Sequence, residues 1–416
     1  MAAMAPLERG VVIVGGGHAG YQCVESLRRG GYAGRLTLVD ADGQLPYHKP
    51  PLSKDYLQHD ADPARLHFRP AAFYDQEAVD LRLGRRAVAI ERRGRSVVLD
   101  DGESLRYDQL VLATGSRARP LSVSRERVAD VHVIKTIADI DRIRARLQSV
   151  HDVTVVGSGF TAMEFAATAT LLGKSVRVLA RGQRVLAQAL PACLSAWLLE
   201  EHRRRGVQVL FGRTVERVEL DESDTTGGLR VTDSSGAAHR TGLLVAAIGA
   251  EPETGLAAAA GLECEDGIVV DAYCRTSDPA IYAAGDAVRF FPPLLQRQLR
   301  LESVQNALGQ AKTIAAHLLG RSEVYDAVPW FWSDQYDLKL QMAGLHEGFD
   351  RLVWRGDPAS RRFSVLLYRK SRLIAVHSVN RPGDHMAARK LLAAGVSPPA
   401  EQAGDERYRL ADALAA

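Results

Sequence analysis

Residues 150–181 read VHDVTVVGSGFTAMEFAATATLLGKSVRVLAR, and they restrict the fold more than any other stretch of this chain. An apolar, β-branched run from Val153 to Val156 enters Gly157-x-Gly159. A small-residue helical pattern follows, then a second apolar run from Val176 to Leu179. Strand, tight glycine turn, helix and strand in that order are the sequence form of a βαβ unit that binds a dinucleotide. Gly157 permits the turn, and Gly159 lets a pyrophosphate reach the unpaired N–H groups at the start of the helix. Ala162 occupies the third glycine position, where only close helix–sheet packing is required.

The same pattern occurs earlier. Val11 to Val14 leads into Gly15-Gly16-Gly17-His18-Ala19-Gly20, a full G-x-G-x-x-G, followed by a helical pattern to about Arg29 and a strand from Arg35 to Val39. Each copy is closed later by a similar phrase, Leu112-Ala113-Thr114-Gly115 with Pro120 and Ala247-Ile248-Gly249 with Pro252. Two such units predict two bound nucleotides with electrons passed between them. The alternative is one true site and one degenerate structural copy.

A chain of 416 residues is long for one core and predicts two to three domains. Hydrophobic content of 46% with 25% charged residues belongs to an ordinary globular protein. A net charge of +3 is too mild to argue for nucleic acid. The N-terminal MAAMAPLERG has no charged segment followed by a long apolar run, and no stretch approaches a membrane span, so a cytoplasmic location is expected. Cys23, Cys193, Cys264 and Cys274 form no C-x-x-C or C-x-x-x-x-C pair, and the loop from Ala41 to Lys54 has no thiol, which argues against disulfide or peroxide chemistry. The twelve histidines show no helical pair at metal-ligand spacing, and no metal site is expected.

In chain order, Leu45 to Leu57 is a proline-dense loop that can present a lysine to a cofactor, with Ser53 placed to cap the helix that follows. Residues 80–115 alternate short strands with the turns Arg93-Gly94 and Asp101-Gly102. Residues 137–148 carry the apolar spacing of an amphipathic helix, Ala192 to Arg205 reads as a helix with a basic end, and another helix is expected from Leu301 to Leu319. Ile281 to Ala284 reads as a buried strand ending in Gly285-Asp286, where a carboxylate can bind a sugar-alcohol hydroxyl. From Tyr325 onward the composition changes, with three of the four tryptophans, and predicts a third domain of roughly 90 residues.

Taken together, G-G-G-H-A-G, P-P-L-S-K-x-Y-L, L-A-T-G, G-S-G-F-x-x-x-E, A-x-G-D, L-E-S-V-x-N-A, P-W-F-W-S-D-Q-Y-D and V-N-R-P make the chain resemble, nearly end to end, the FAD-dependent ferredoxin reductases of cytochrome P450 and Rieske oxygenase systems. Apoptosis-inducing-factor-like proteins and rubredoxin reductases share the glycine motifs and P-P-L-S-K. The resemblance implies an α/β chain with two Rossmann-like domains of the glutathione-reductase-like superfamily and a C-terminal α+β domain. The expected boundaries are 1–117 with 250–324 for FAD, 118–249 for NAD(P) and 325–416 for the last domain. It further implies that Gly15, Gly17, Ala19 and Gly20 take the FAD pyrophosphate, that Asp40 or Asp42 binds its ribose, and that Ala87 makes a backbone contact to adenine. Asp286, after Gly285, would hold the ribityl chain. Val304 and Trp330 would lie against the flavin ring, with simple core packing an equal alternative for Trp330. Lys54 would sit beside the ring and pair with Glu164, which orients the nicotinamide. Lys49 and Lys135 stand where relatives often have arginine. Gly157 and Gly159 would take NADH or NADPH.

The implied activity is electron transfer from NAD(P)H through FAD to a [2Fe-2S] ferredoxin. An NAD(P)H oxidase or a non-catalytic interaction protein on the same fold are the alternatives. Two further expectations concern charge. Arg297 and Arg300 are candidates for docking an acidic ferredoxin, with solubilising surface charge as the rival reading. Ala180 replaces the acidic residue that NADH-using relatives carry, and Arg181 follows it with Arg184 nearby. This weakens the expected NADH preference and tilts it towards NADPH, unless Arg181 simply points to solvent.

Overall fold

The computed structural model describes residues 10–59, 62–125, 131–221, 227–292 and 295–415. Two compact units are drawn from the chain: Met1–Lys49 with Asp62–Arg117 and Glu251–Ala327, and Pro50–Ala61 with Ala118–Ala250 and Val328–Ala416.

In the first unit a five-stranded parallel sheet runs Ile281–Ala283, Gln109–Leu112, Gly10–Val14, Arg35–Asp40, Val79–Leu83. Its central strands read as unbroken apolar runs because helices cover parallel sheets on both faces. Val11, Ile13, Leu36, Leu38, Leu110, Leu112 and Ile281 are all at most 3% exposed. The helices His18–Arg29 and Val304–Leu318 pack against each other, burying Leu27 and Ile314 in the same core. Ala87–Glu91, Ser96–Leu99 and Ser104–Arg106 form a small antiparallel sheet, as the turns Arg93-Gly94 and Asp101-Gly102 led one to expect. The last helix of this unit starts three residues later than its sequence pattern. Ser303 caps it by accepting the Asn306 N–H at 3.1 Å, so Leu301 and Glu302 stay outside.

The second unit repeats that plan. Its parallel sheet runs Val131–His132, Leu243–Ala246, Asp152–Val156, Ser175–Ala180, Gln208–Phe211. In both units the strand entering the glycine turn lies between the next strand in sequence and the late closing strand. Ile137–Ser149 is a helix opened by a capping box between Thr136 and Asp139, and Ala192–Arg204 is a second helix.

The unit also holds a five-stranded antiparallel sheet, Trp330–Gln335, Leu338–Gly344, Arg372–Val379, Phe363–Arg369, Arg351–Arg355, with the helix Pro382–Ala394 packed on it. Leu186, Leu190, Leu194 and Leu198, around and on the helix Ala192–Arg204, share one core with Leu338, Leu340, Phe363, Val365 and Val379 of that sheet. This shared core accounts for the grouping of the carboxyl-terminal segment with residues 118–250.

Residues 50–59, placed by their sequence in the first domain, group with the second unit. Thr168 Oγ1 donates to the Ser53 carbonyl at 2.8 Å, and Tyr56 OH donates to Asp141 at 2.9 Å. Arg144 lies over the Tyr56 ring and donates to the His59 carbonyl. Ser53 does not cap the short helix Asp55–Gln58. Lys54 is its N-cap, with no side-chain capping bond, because the Ser53 hydroxyl is spent elsewhere.

Candidate functional site

The first glycine turn is fixed by sterics. Gly15 has φ +111°, and a Cβ there would lie 2.1 Å from the Ala113 carbonyl oxygen. At Gly20 a Cβ would meet the Gly15 carbonyl oxygen at 1.8 Å. Gly17 is different: a Cβ would find nothing within 4 Å. It is the N-cap of His18–Arg29 with no side-chain cap and no acidic residue in the first turn. The positive end of this helix therefore has room beside Gly17 and no side-chain cap, which suits an anion.

Asp40 and Gly285 lie at this turn. Asp40 ends its strand so close to Gly16 that a Cβ on that glycine would lie 2.2 Å from Oδ2. Burial pushes the Asp40 carboxyl up, while the Asp42 N–H, the Lys49 charge and the Gly16 N–H oppose that. Asp42 sits beyond it, accepting the Gln44 N–H and the Tyr47 hydroxyl, and Lys49 donates to Tyr47 at 3.1 Å. Gly285, at φ +87°, packs near Ala19 and donates its N–H to Gln310 Oε1 at 2.8 Å. Asp286 accepts the Ser116 hydroxyl at 2.8 Å. Val304 is the first residue of its helix. Ala87 opens the small antiparallel sheet, paired with Leu99.

The second turn reproduces the first. Gly157 has φ +120° and its Cβ would lie 2.1 Å from the Ala247 carbonyl oxygen, while Gly159 faces open space and leaves the helix Phe160–Leu171 uncapped. Ala162 is fully buried. Ala180, at the end of its strand, is fully buried as well. Arg181 is exposed and makes no hydrogen bond or ion pair among the described residues. Arg184, expected nearby as a second cation, is turned inward onto the carbonyls of Leu190 and Ala187 and the Ser195 hydroxyl. Lys135 is half-buried in the turn before the helix Ile137–Ser149.

Lys54 and Glu164 meet. Lys54 Nζ lies 3.0 Å from Glu164 Oε1, with side chains 13% and 8% exposed. Ser53 donates to Oε2 at 2.7 Å and Ser333 to Oε1 at 2.6 Å. Burial pushes the Glu164 carboxyl above the ordinary glutamate value; Lys54 is the largest opposing influence, followed by Ser333 and Ser53. The carboxylate is held by three donors and is acceptor-only when ionised. Sequence reasoning missed Ser333 as a site residue, although the W-S-D-Q-Y segment carrying it was in plain view.

Trp330 is partly buried against Trp332 and His385, with the Arg389 guanidinium 4.3 Å from its ring centre. Of the two arginines considered for docking, Arg300 is engaged by Asp266 at 3.3 Å and Glu302 at 2.5 Å, with its side chain 16% exposed; Arg297 is exposed. All four cysteines are free, and burial drives the Cys23 thiol up to about 12. Among the described residues no group of three or more His, Cys, Asp or Glu is arranged to hold a metal ion.

Residues 9–311 match the family model described as pyridine nucleotide-disulphide oxidoreductase, and residues 330–414 match the model described as reductase C-terminal. The chain is 40% identical to rhodocoxin reductase of Rhodococcus erythropolis over 97% of its own length and 94% of that protein. It is 42% identical to the ferredoxin–NAD(+) reductase component of the anthranilate 1,2-dioxygenase system of Burkholderia cepacia, over 95% and 96%. Among solved structures it is similar to the ferredoxin reductase for the CYP199A2 system of Rhodopseudomonas palustris, with a TM-score of 0.94, 40% identity and coverage of 97% and 99%.

Proposed function

Because the chain belongs to the pyridine nucleotide-disulphide oxidoreductase family and carries the reductase C-terminal domain, we propose that it passes electrons from NAD(P)H to a [2Fe-2S] ferredoxin that serves a cytochrome P450 or Rieske oxygenase. The observation that carries this reading is the matched pair of glycine turns. Gly15 under Ala113 and Gly157 under Ala247 each leave an uncapped helix start beside a position where a Cβ would meet nothing, and that fits two dinucleotides, FAD and NAD(P)H. Bound FAD supplies acceptance of a hydride and release of single electrons.

The residues act by position and charge. Gly15, Gly17, Ala19 and Gly20 take the FAD pyrophosphate. Asp40, the carboxylate beside Gly16, is assigned to the ribose in preference to Asp42, which is tied to Tyr47. Asp286 is assigned to the ribityl chain, Ala87 to adenine, and Val304 and Trp330 to the flavin ring. Lys49 and Lys135 supply positive charge. Lys54 favours electron density on the ring, and Glu164 orients the nicotinamide. Residues 1–117 with 250–324 serve FAD, 118–249 serve NAD(P)H, and 325–416 complete the reductase. No helix among the described residues is long and apolar enough to cross a membrane. A cytoplasmic location is part of the proposed reading.

The purified protein should be yellow and should reduce cytochrome c with NAD(P)H only when a [2Fe-2S] ferredoxin is added. Oxygen consumption that matches this rate without ferredoxin would assign it to the oxidases instead.

Donor choice is expected to rest on Arg181. With Ala180 buried and uncharged, Arg181 is the first exposed side chain after the strand, and a guanidinium–phosphate bond is worth ~1.5–3 kcal/mol. Arg181→Ala should lower the NADPH:NADH ratio of kcat/KM by roughly tenfold or more, whereas Arg184→Ala should leave that ratio unchanged. Equal ratios in wild type and Arg181→Ala would remove Arg181 as the selector.

Ferredoxin docking is expected to be steered electrostatically, so the ferredoxin reduction rate should fall as ionic strength rises past the ~10 Å screening regime near 0.1 M. Arg297→Glu should flatten that dependence, and ferricyanide reduction should not follow it. With Arg300 already neutralised by Asp266 and Glu302, Arg300→Gln should have the smaller effect.

A further inference from the structure

Glu164 stands at the end of a buried series of hydrogen bonds that the reaction as described does not use. Ser333 Oγ lies 2.6 Å from Glu164 Oε1, Gln335 Nε2 lies 3.0 Å from Ser333 Oγ, His202 Nε2 lies 2.8 Å from Gln335 Oε1, and Tyr336 OH lies 3.0 Å from His202 Nδ1. Glu164, Ser333, Gln335 and His202 are 7%, 0%, 2% and 0% exposed. Ser333 and Gln335 alternate on one strand and point to one face, while His202 comes from the helix Ala192–Arg204.

The direction of every bond follows from the charge at one end. An ionised carboxylate only accepts, so Ser333 must donate to it. Its single proton spent, Ser333 must accept from the Gln335 amide nitrogen, which turns the amide oxygen towards His202. His202 must then carry its proton on Nε2 and accept the Tyr336 hydroxyl at Nδ1. Four donors thus run head to tail towards Glu164, an arrangement in which each bond polarises the next.

We infer that His202, acting through Gln335 and Ser333, is a positioning residue that keeps Glu164 ionised and aimed for the nicotinamide step. The chemistry of the chain supports this. Burial lowers the His202 imidazole to about 4, with Gln335 and Glu201 working against that and Arg205 with it, so the ring is neutral at working pH. The series cannot conduct a proton, because the Gln335 amide interrupts it; it can only orient and polarise. Its outer end is clamped. Arg205 stacks on the Tyr336 ring at 4.4 Å and binds Glu201 at 2.8 Å and Asp337 at 3.1 Å. The charged and titratable groups facing the series are therefore Lys54 at Glu164, and Glu201, Arg205 and Tyr336 at His202.

The inference rests on the role given to Glu164 above, and its test separates the two. In the FAD-loaded full chain, flavin reduction by NAD(P)H is followed by stopped flow across pH, and the Glu164 carboxyl is titrated by carbon-13 NMR, assigned with Glu164→Gln. Ser333→Ala should move the acid limb and the carboxyl titration upward together by about one pH unit. His202→Phe and Gln335→Met should move both in the same direction by less, and Ser333→Thr should restore the wild-type values. Nitrogen-15 NMR should find His202 neutral with its proton on Nε2. Variants that lose thermal stability but leave the acid limb and the Glu164 titration in place would reduce the series to packing, as would a proton on Nδ1. Should wild-type flavin not be reduced by NAD(P)H at all, the proposed function fails, and the two NMR measurements decide the series on their own.

Discussion

Lys54→Met is expected to slow flavin reduction by NAD(P)H by about 10²-fold while FAD stays bound. Lys54 is the largest influence opposing the upward push that burial gives the Glu164 carboxyl. Without the ammonium 3.0 Å away, burial pushes the carboxyl further up, and the site loses its cation together with the charge that favours the ionised carboxylate assigned to the nicotinamide. Removing one partner of a buried ion pair costs about 3–5 kcal/mol, and a hundredfold in rate corresponds to about 2.7 kcal/mol at 1.36 kcal/mol per decade. The residues assigned to FAD lie elsewhere in the chain, at Gly15, Gly20, Asp40 and Asp286, so flavin content should hold. Lys54→Arg should recover part of the rate, because it keeps the charge but alters reach. Stopped-flow bleaching equal to wild type in Lys54→Met would remove Lys54 from the reaction, and loss of flavin would make it a structural lysine.

The second large effect concerns the glycine turns. Gly15→Ala and Gly157→Ala impose the same insult, a Cβ 2.1 Å from a carbonyl oxygen at φ above +100°. Backbone strain alone costs about 1–3 kcal/mol, and relieving the overlap must displace a strand end. The expected outcomes differ by turn. Gly15→Ala should emerge with little or no FAD and a lower melting temperature. Gly157→Ala should be yellow, be reduced normally by dithionite, and respond to NAD(P)H about 10²-fold less efficiently in kcat/KM. A Gly157→Ala protein with wild-type NAD(P)H kinetics would show that the second turn is only a structural copy.

These turns were legible because every requirement is local: a β-branched run, a glycine forced by φ, and a small residue where helix meets sheet. The partners of Glu164 were not. Ser53 looked like a helix cap because serine before Asp55 commonly is one, yet its hydroxyl goes to a carboxylate 111 positions away. Ser333 reaches the same carboxylate across 169 positions, and nothing in its neighbourhood marks that destination. Charge was equally misleading in isolation. Arg181 and Arg184 look interchangeable in sequence, but the chain folds Arg184 back onto the Leu190 and Ala187 carbonyls and leaves Arg181 outside. Arg300 reads as available in the sequence, but Asp266 and Glu302 flank it in the fold. Tertiary pairing decides such cases, and sequence spacing does not encode it.

The core shared by Leu190, Leu194 and Leu198 with Phe363, Val365 and Val379 joins segments made far apart in time. At a synthesis rate of ~5–20 residues per second, the interval between Leu198 and Val379 leaving the ribosome is on the order of 10–40 s. Throughout it the leucine face of the helix Ala192–Arg204 has no sheet to cover it. A nascent chain halted between Ala246 and Trp330 carries every strand of the second unit's parallel sheet with that leucine face still uncovered. Expression should therefore depend more on chaperone capacity than on the melting temperature of the finished protein.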